Sequence, residues 1–378
     1  MPWKEVTAMS QKKNFVSLAL RPGANIAALC RDFSISRKTA YKYINKFRAE
    51  GEEGLKELSH KTNSCPHKTN EMLKKLFLST RKLYPAWGGE KIKQFLQDKG
   101  YKNLPTEKTI DRILKSHGLI AEEESEKRKG WIRFVHEHPN DLWQMDFKGH
   151  FEVGQSRCHP LTLLDDHSRY SLPMKACANE NSDTVKQHLI SVFREHGLPK
   201  RMTMDNGIPW GYSGSQTHTK FTAWLIQLGV YVSHSRPYHP QTQGKLERFH
   251  RTLKLELLKQ YSFANLDEAQ EGLDWWRKVY NEIRPHASLN LEVPAKHYKK
   301  SERPYLEVLP KIEYDKEFEV RKVQQKGLIF FKGQVFRVGD AFYGFPVGLK
   351  VSEEDGLFNV YFCHQKVNKI DLRYPVKY

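Results

Sequence analysis

Three acidic residues, Asp146, Asp205 and Glu247, stand in segments whose patterns place a carboxylate where chemistry is possible. Asp146 lies within the strand-like run LWQMDFKG, where an acid among apolar neighbours is unusual unless it faces a cleft. Asp205 ends the strand-like run RMTM, and Glu247 lies in an amphipathic helical segment. Carboxylates are the hard oxygen ligands that suit Mg²⁺ or Mn²⁺, and two such ions about 3.5–4 Å apart serve in-line displacement at a phosphodiester. The three residues therefore predict a site for two divalent ions.

The helical segment that carries Glu247 begins at Pro240, which suits a first helical turn because it lacks an amide proton. Its apolar residues recur at helical spacing and predict one buried stripe, formed by Leu246, Phe249, Leu253 and Leu257. Glu247, Arg251 and Lys254 follow the i, i+4, i+7 spacing that places side chains on one neighbouring face. We predict that Arg251 and Lys254 contact phosphates there. An ordinary surface ion pair is the alternative.

Other acids compete for the same role. Asp-Asn-Gly, at 205–207, is by itself a hairpin signature, although no second strand follows it directly. Glu256 lies nine residues beyond Glu247, about half a helical turn out of phase, and is expected to point away. Asp165 and Asp166 fall in the turn-rich tetrad DDHS and are interpreted as turn residues, with metal ligation as the lesser alternative.

Charge and length limit the class of protein. The chain has 378 residues and a formal net charge of +18, which favours nucleic acid as a partner; a charge that only maintains solubility is the alternative. No apolar run is long enough to span a bilayer, and the N-terminus has no signal-peptide pattern, so we expect no membrane partner and a cytoplasmic, nucleoid-associated location. The five cysteines are scattered and are expected to be reduced thiols. Cys65 and His67 lack the second ligand pair that a zinc finger needs.

The N-terminal part has the rhythm of a helix-turn-helix. Residues 24–33 and 37–50 are predicted helices, and Ser36 is the predicted N-cap of the second. Ala40, Ile44 and Phe47 form its packed face. The opposite face is basic and is predicted to contact DNA through Arg37, Lys38, Lys42 and Asn45.

A similar unit follows. Residues 89–99 form one predicted helix, and Thr106 opens the next, whose outer face carries Lys108 and Arg112. Two such modules would lengthen the DNA footprint, and both residues are predicted DNA contacts. A plain helical spacer is the alternative.

The periodicity then changes from helical to strand-like. Strands are predicted at 142–153, 160–164, 169–176, 201–204 and 230–232, with helices at 182–196 and 219–228. This order favours an RNase H-like α/β domain with a mixed sheet. From residue 317 onward, short alternating runs separated by glycines predict a small all-β barrel.

The predicted organisation is therefore multidomain. A helix-turn-helix domain spans 1–60, a second all-α module 61–125, a linker 126–140, an RNase H-like catalytic domain 141–300 and the β-barrel 315–378.

Taken together, the motifs WQMDFKG, LLDDHSRY, DNG, RPYHPQTQGKLERFHRTLK and YNEIRPHASLNLEVPAKHY resemble those of bacterial insertion-sequence transposases of the DDE class, relatives of retroviral integrases. The resemblance covers about residues 142–298 and extends to the N-terminal modules. It implies an integrase-like core with Asp146, Asp205 and Glu247 as the catalytic triad. It also implies DNA cleavage at transposon ends, strand transfer into target DNA, and a homo-oligomer of two subunits or more.

Two features depart from relatives. The 41 residues between Asp205 and Glu247 are more than in much of this family, and the polar stretch 210–217 can absorb the difference because loops tolerate insertion. No retroviral-type zinc module precedes the core, which favours a transposase. The alternatives are a DNA-binding regulator without catalysis and an RNase H-like nuclease that cuts without joining. A tyrosine recombinase is disfavoured because no histidine has an arginine three residues later.

Overall fold

The architecture is given by a computed structural model that describes residues 7–56, 69–120, 135–207, 209–210, 218–234 and 244–376. Four of the predicted features lie outside these residues: the Cys65 and His67 pair, the main part of the 126–140 linker, the loop residues 211–217 and the helix start at Pro240. The backbone forms two compact units, Met1–Lys68 and Thr69–Tyr378. No helix in the described ranges combines the length and apolar character needed to cross a bilayer.

The first unit is a helix-turn-helix. Its helices are α1 (Ala8–Ala19), α2 (Ile26–Asp32) and α3 (Arg37–Glu50). The Ser36 hydroxyl accepts a hydrogen bond from the backbone N–H of Thr39, so the predicted N-cap of α3 is confirmed. Ala40 and Ile44 turn inward onto Phe15. The basic face of α3 is left exposed.

The second unit begins with three helices, α4 (Glu71–Leu83), α5 (Gly89–Asp98) and α6 (Glu107–Ser116). The sequence reasoning did not identify α4. Fully buried Phe77, Trp87 and Ile110 hold the three helices together, and Val279 from a later helix joins the same cluster. The helical module is thus packed onto the helices that follow the main sheet.

The main sheet has strands β1 (Leu142–Phe147), β2 (Phe151–Val153), β3 (Ser156–Asp165), β4 (Lys175–Cys177), β5 (Arg201–Met204) and β6 (Tyr231–His234). Its order is β2-β3-β1-β5-β6, with β4 also paired to β3. β3 runs antiparallel to β1 and β4, whereas β5 and β6 run parallel to β1. This mixed sheet, with its antiparallel strands first and its parallel strands last, is the predicted RNase H-like arrangement.

The predicted strand at 169–176 was too long. Arg169 has a positive φ of 61°, and the side-chain amide of Asn281 bonds both the N–H and the C=O of Ser171, at 2.8 and 2.9 Å. Ser171 still bridges Leu164 of β3, but Pro173 has no N–H with which to continue the pairing, and the regular ladder with β3 begins only at Lys175.

Helices α7 (Ser182–His196), α8 (Lys220–Gln227), α9 (Gly244–Leu253) and α10 (Leu266–Glu282) accompany the sheet. α7 agrees with its predicted bounds, and α10 was not predicted. After Leu253 the chain continues as one π-helical stretch, Lys254–Leu258.

The C-terminal region is all-β, as predicted. Strands β7 (Glu319–Lys322), β10 (Pro346–Val351), β11 (Leu357–Phe362) and β12 (Gln365–Asp371) form one antiparallel sheet, and β8 (Leu328–Phe331) pairs with β9 (Gln334–Arg337) in another. Phe331, Phe362 and Val347 from these sheets belong to the same buried cluster as Trp224 and Leu225 of α8. The region therefore shares a core with the main sheet.

Candidate active site

The sheet brings two of the three predicted acids side by side. β1 pairs parallel with β5 in a register that sets Leu142 opposite Arg201 and Gln144 opposite Thr203. Extending that register by two residues places Asp146, on β1, beside Asp205, which follows the last residue of β5. Both side chains are half-buried.

The pKa of Asp146 reflects its burial and its acidic neighbours, among which Glu247 contributes least. The pKa of Asp146 rises from 3.8 to about 7, first because burial disfavours its charged form and next because of the negative charge of Asp205. Glu247 and Glu180 raise it further, whereas a hydrogen bond from the Phe147 backbone lowers it. A carboxylate with its pKa raised by several neighbouring acids is typical of a site that a cation neutralises.

Asp205 sits in a turn that holds its carboxylate in place. One of its side-chain oxygens accepts a hydrogen bond from the N–H of Gly207 at 3.0 Å, and its carbonyl accepts one from Nδ1 of His234 at 2.8 Å. The hairpin alternative is wrong, because the next strand, β6, runs parallel to β5. The turn ends at buried Trp210, whose ring stacks on Phe147 at 5.5 Å.

Glu247 is presented from the exposed side of α9. The predicted stripe is confirmed, since each of its four apolar residues is 2% exposed or less: Leu246, Phe249, Leu253 and Leu257. Glu247, Arg251 and Lys254 all remain exposed beside it. Lys254 begins the π-helical stretch, where the wider turn changes the angular spacing that the α-helical count assumed.

The competing acids have structural partners. Glu256 is buried in an ion pair with Arg284, with Nε of Arg284 2.8 Å from its carboxylate, and it also accepts a hydrogen bond from Nε1 of Trp276. It therefore stabilises the packing of the π-helical stretch against α10. Asp165 is fully buried and accepts hydrogen bonds from the backbone N–H groups of Asn140 and Ser168, in keeping with its predicted turn role.

Asp166 also forms a buried ion pair, which its interpretation as a turn residue did not predict. Its carboxylate pairs with the ammonium of Lys245 in the first turn of α9, and it also accepts a hydrogen bond from the Gln144 amide at 2.9 Å. Burial alone would raise the pKa of Asp166, but Lys245 outweighs it and the pKa is lowered. Burial lowers the pKa of Lys245 to about 8. The ion pair ties the start of α9 to the turn after β3.

Two further residues near the acids were missed. Lys148 follows β1, two residues after Asp146, and its pKa is lowered by burial and by the charge of Lys254, while Asp146 raises it. It therefore lies near both an acid and a predicted phosphate contact. Period-two alternation places Lys148 on the same face as Asp146, so the strand pattern contained this signal. The second missed residue is His250 on α9, whose pKa falls to about 3 because of burial.

The predicted DNA contacts lie on α3, on α6 and along α9 and its π-helical continuation. Arg37, Lys38, Lys42 and Asn45 are all exposed on α3, and Lys108 and Arg112 are exposed on α6. Arg251 and Lys254 are exposed next to Glu247. Their contact with DNA stays a prediction.

The donor set fits a divalent cation, because Asp146 and the adjacent Asp205 supply hard oxygens, and the negative charge of Asp205 adds to burial in raising the pKa of Asp146. The side chains are not arranged as a finished ligand shell: within the described ranges, no three His, Cys, Asp or Glu residues form a group that could hold a metal ion.

Family models match successive parts of the chain. A helix-turn-helix domain matches 11–61 and a homeodomain-like domain 39–114. Models of the integrase core domain match 136–240 and 228–294, and the C-terminal domain of IS481 family transposases matches 318–375. The predicted resemblance to insertion-sequence transposases is confirmed. We refer to residues 136–294 as the integrase core.

Similar curated proteins come from insertion elements. An uncharacterized 39.2 kDa protein of element IS476 from Xanthomonas euvesicatoria is 30% identical over 42% of this chain and 44% of its own length. A 31.7 kDa protein of IS407 from Burkholderia multivorans is 27% identical over 52% of this chain and 72% of its own. A protein assigned as the transposase for IS5376 from Geobacillus stearothermophilus is 24% identical over 92% of this chain and 84% of its own. The chain thus spans less than half the length of the first of these relatives.

Two solved structures are similar to parts of this chain. The catalytic core domain of HTLV-2 integrase in complex with magnesium is 16% identical, with a TM-score of 0.34 over 43% of this chain and 99% of that one. The simian T-cell lymphotropic virus intasome in complex with PP2A regulatory subunit B56 gamma is 18% identical, with a TM-score of 0.37 over 70% of this chain and 92% of that one.

Proposed function

We propose that the protein is a DNA transposase that binds transposon ends and catalyses metal-dependent cleavage and strand transfer into target DNA. One observation carries the proposal: the integrase core holds Asp146 beside Asp205, within the field of Glu247, and raises its pKa to about 7. The basic helix-turn-helix face and the net charge of +18 support DNA as the partner. The proposed modules keep the predicted bounds 1–60, 61–125, 126–140, 141–300 and 315–378.

Asp146, Asp205 and Glu247 are the proposed ligands of two Mg²⁺ or Mn²⁺ ions. When bound, such a pair activates an attacking oxygen and stabilises the leaving oxygen at a phosphodiester. The protein's part is to bring the three carboxylates together and to hold the phosphate. Arg251 and Lys254 are the proposed phosphate contacts, because both are exposed on the segment that presents Glu247 and an adjacent cation offsets phosphate charge.

Arg37, Lys38, Lys42, Asn45, Lys108 and Arg112 are the proposed contacts to the element's ends. Strand transfer requires two ends to be held together, so a homo-oligomer of two subunits or more is part of the proposal.

The test is an end-processing assay on DNA that carries the repeats flanking the protein's own gene, with and without Mg²⁺ or Mn²⁺. Asp146→Asn, Asp205→Asn and Glu247→Gln should each abolish cleavage and joining while end binding is retained. Glu271→Gln, at an exposed acid of α10, is the matched control and should behave as wild type. Wild-type cutting without joining would indicate a nuclease, and binding without any Mg²⁺-dependent nicking would indicate a regulator; either result contradicts the proposal.

A further inference from the structure

Thr162 links the strand of Asp146 to the helix of Glu247. It lies on β3 directly opposite Asp146, and its side chain is completely buried. Its hydroxyl oxygen is 2.8 Å from the backbone carbonyl oxygen of Asp146 and 2.7 Å from Nε2 of His250 on α9. One hydroxyl therefore bridges the two elements that carry proposed ligands.

The direction of the two hydrogen bonds follows from proton counting. A carbonyl oxygen can only accept, so the single hydroxyl proton of Thr162 is donated to Asp146. The contact with His250 then requires the imidazole to donate, which places a proton on Nε2. With Nδ1 unprotonated, this is the neutral Nε2–H tautomer.

The bridge lies next to the proposed site along α9. His250 follows Glu247 by three residues, so the two side chains are neighbours on adjacent turns. On the other side of Glu247, Lys245 is paired with Asp166. Glu247 is thus flanked along its helix by two attachments to the β3 side of the sheet.

We propose that His250 is a positioning residue, which holds Glu247 at a fixed separation from Asp146 through the hydroxyl of Thr162. This rests on the proposed function, since the separation has a purpose only if the two carboxylates share divalent ions. The rival interpretation is a buried contact that stabilises the fold and leaves the ligands where they are.

The test compares variants that remove the bridge with variants that preserve it. Thr162→Val keeps the shape of the side chain but cannot bridge, and His250→Leu removes the donor. Thr162→Ser keeps the hydroxyl, and an amide proton of His250→Gln can reach Thr162. Thr252→Val is the matched control on the same helix, because among the described residues the Thr252 hydroxyl bonds to the carbonyl of Arg248 within α9 and to no neighbouring element.

Two readouts on the full-length protein separate positioning from stability. The first is Mn²⁺ affinity by calorimetry in the absence of DNA, and the second is Mn²⁺-dependent end cleavage. Because small displacements of reacting groups cost up to about a hundredfold in rate, we expect Thr162→Val and His250→Leu each to lose about tenfold or more in both readouts. Thr162→Ser and His250→Gln should regain most of the loss. The Thr162→Val/His250→Leu double variant should lose no more than the worse single one, because both changes break the same bridge.

The tautomer gives an independent check. Histidine-selective ¹⁵N NMR of the wild type at neutral pH should show an Nε2–H resonance that disappears in His250→Gln. Assignment of His250 to the Nδ1–H tautomer would overturn the bridge.

The inference and the proposed function fail differently. If wild type binds Mn²⁺ through the acids but cuts no end DNA, the proposed function fails, while weaker Mn²⁺ binding by Thr162→Val still supports positioning. If a folded Thr162→Val retains wild-type Mn²⁺ affinity and cleavage, positioning is overturned and the proposed function stands. A wild type that binds no Mn²⁺ and cuts no DNA overturns both.

Discussion

The half-buried carboxylate of Asp146 has an energetic cost that depends on pH. Its pKa is about 7 in the folded chain against an ordinary value of 3.8. Between these values the folded protein keeps a proton that the unfolded chain has lost, so stability falls as pH rises through this window. The cost is complete above pH 7 and absent below about pH 3.8.

Asp146→Asn should therefore stabilise the metal-free protein in a pH-dependent way. At 1.36 kcal/mol for each pKa unit, the gain in free energy of unfolding at pH 8 is at most about 4 kcal/mol, and it should vanish near pH 4. Denaturant unfolding of the wild type and the variant at the same pH measures this difference in free energy. Histidines with lowered pKa values, such as His196 and His218, contribute equally to both proteins, so their effect cancels. A gain that is the same at pH 4 and pH 8 would contradict the assigned pKa.

For single residues, the local sequence pattern indicated candidate site residues where the neighbours of a side chain are close in sequence or in strand register. Asp146 and Asp205 were predicted because each stands at a marked place on a strand. His250 was not, because its partner Thr162 lies 88 residues away and no periodicity connects them. Glu180, which also raises the pKa of Asp146, lies in the connection before α7 and has no pattern that marks it.

The first residue of a helix was predictable where a residue with a capping side chain directly precedes it in the sequence. α3 and α7 begin directly after Ser36 and Asn181, whose side chains accept backbone N–H groups, and both helices agree with their predicted ranges. α10 has the same kind of signal in Asn265, so this helix was overlooked although its cap was readable. The strand at 169–176 also contained a readable signal, because Pro173 cannot donate to a ladder and the regular pairing begins only at Lys175.

The second prediction concerns the ion pair between Lys245 and Asp166 at the start of α9. Lys245→Met leaves the Asp166 carboxylate buried without its cation, so we expect a loss of roughly 3 kcal/mol in free energy of unfolding. The double variant Lys245→Met/Asp166→Asn should regain part of that loss, since no buried charge remains. Lys350→Met, which breaks the exposed pair with Glu317, is the control and should leave stability nearly unchanged, because a solvated surface pair contributes little. Equal losses in the two single variants would show that burial gives the Lys245 pair no special weight.

The third prediction concerns the exposed, basic face of α3. Arg37→Gln and Lys42→Gln together remove two cations from the helix that is proposed to enter DNA. Affinity for end DNA should fall, and the slope of log affinity against log salt should become shallower by about two, because about two fewer counterions are released. Binding measured at several salt concentrations checks this, with Lys326→Gln/Lys316→Gln at exposed sites outside the helix-turn-helix as the charge-matched control. An equal change in slope for the control pair would show that only net charge matters.

At the scale of the whole molecule, the composition predicted a DNA-binding class and the change of periodicity predicted the order of helical, mixed and all-β regions. The attachment of the all-β region could not be foreseen, because it depends on contacts between residues more than a hundred positions apart.

A substitution of Gln365 most directly tests the attachment of the all-β region to the main sheet. β6 is the last strand of the main sheet, so one of its edges has no partner among the strands that the structure describes. The Gln365 side chain takes that place: its oxygen accepts a hydrogen bond from the N–H of Val232 and its amide donates to the carbonyl of Val232, both at 2.8 Å. Gln365 is only 3% exposed, so water cannot replace these bonds.

Gln365→Leu should therefore lower the free energy of unfolding of the whole second unit by about 2–6 kcal/mol, because two buried backbone groups lose their partners at about 1–3 kcal/mol each. Gln324→Leu, at an exposed position of the same region, is the control and should leave stability nearly unchanged. Because the all-β region and the main sheet share one buried cluster, fluorescence of the core tryptophans and far-ultraviolet circular dichroism should report the same shifted transition. A variant in which the C-terminal strands unfold first, while the main sheet keeps its wild-type midpoint, would show that the two regions are energetically separate.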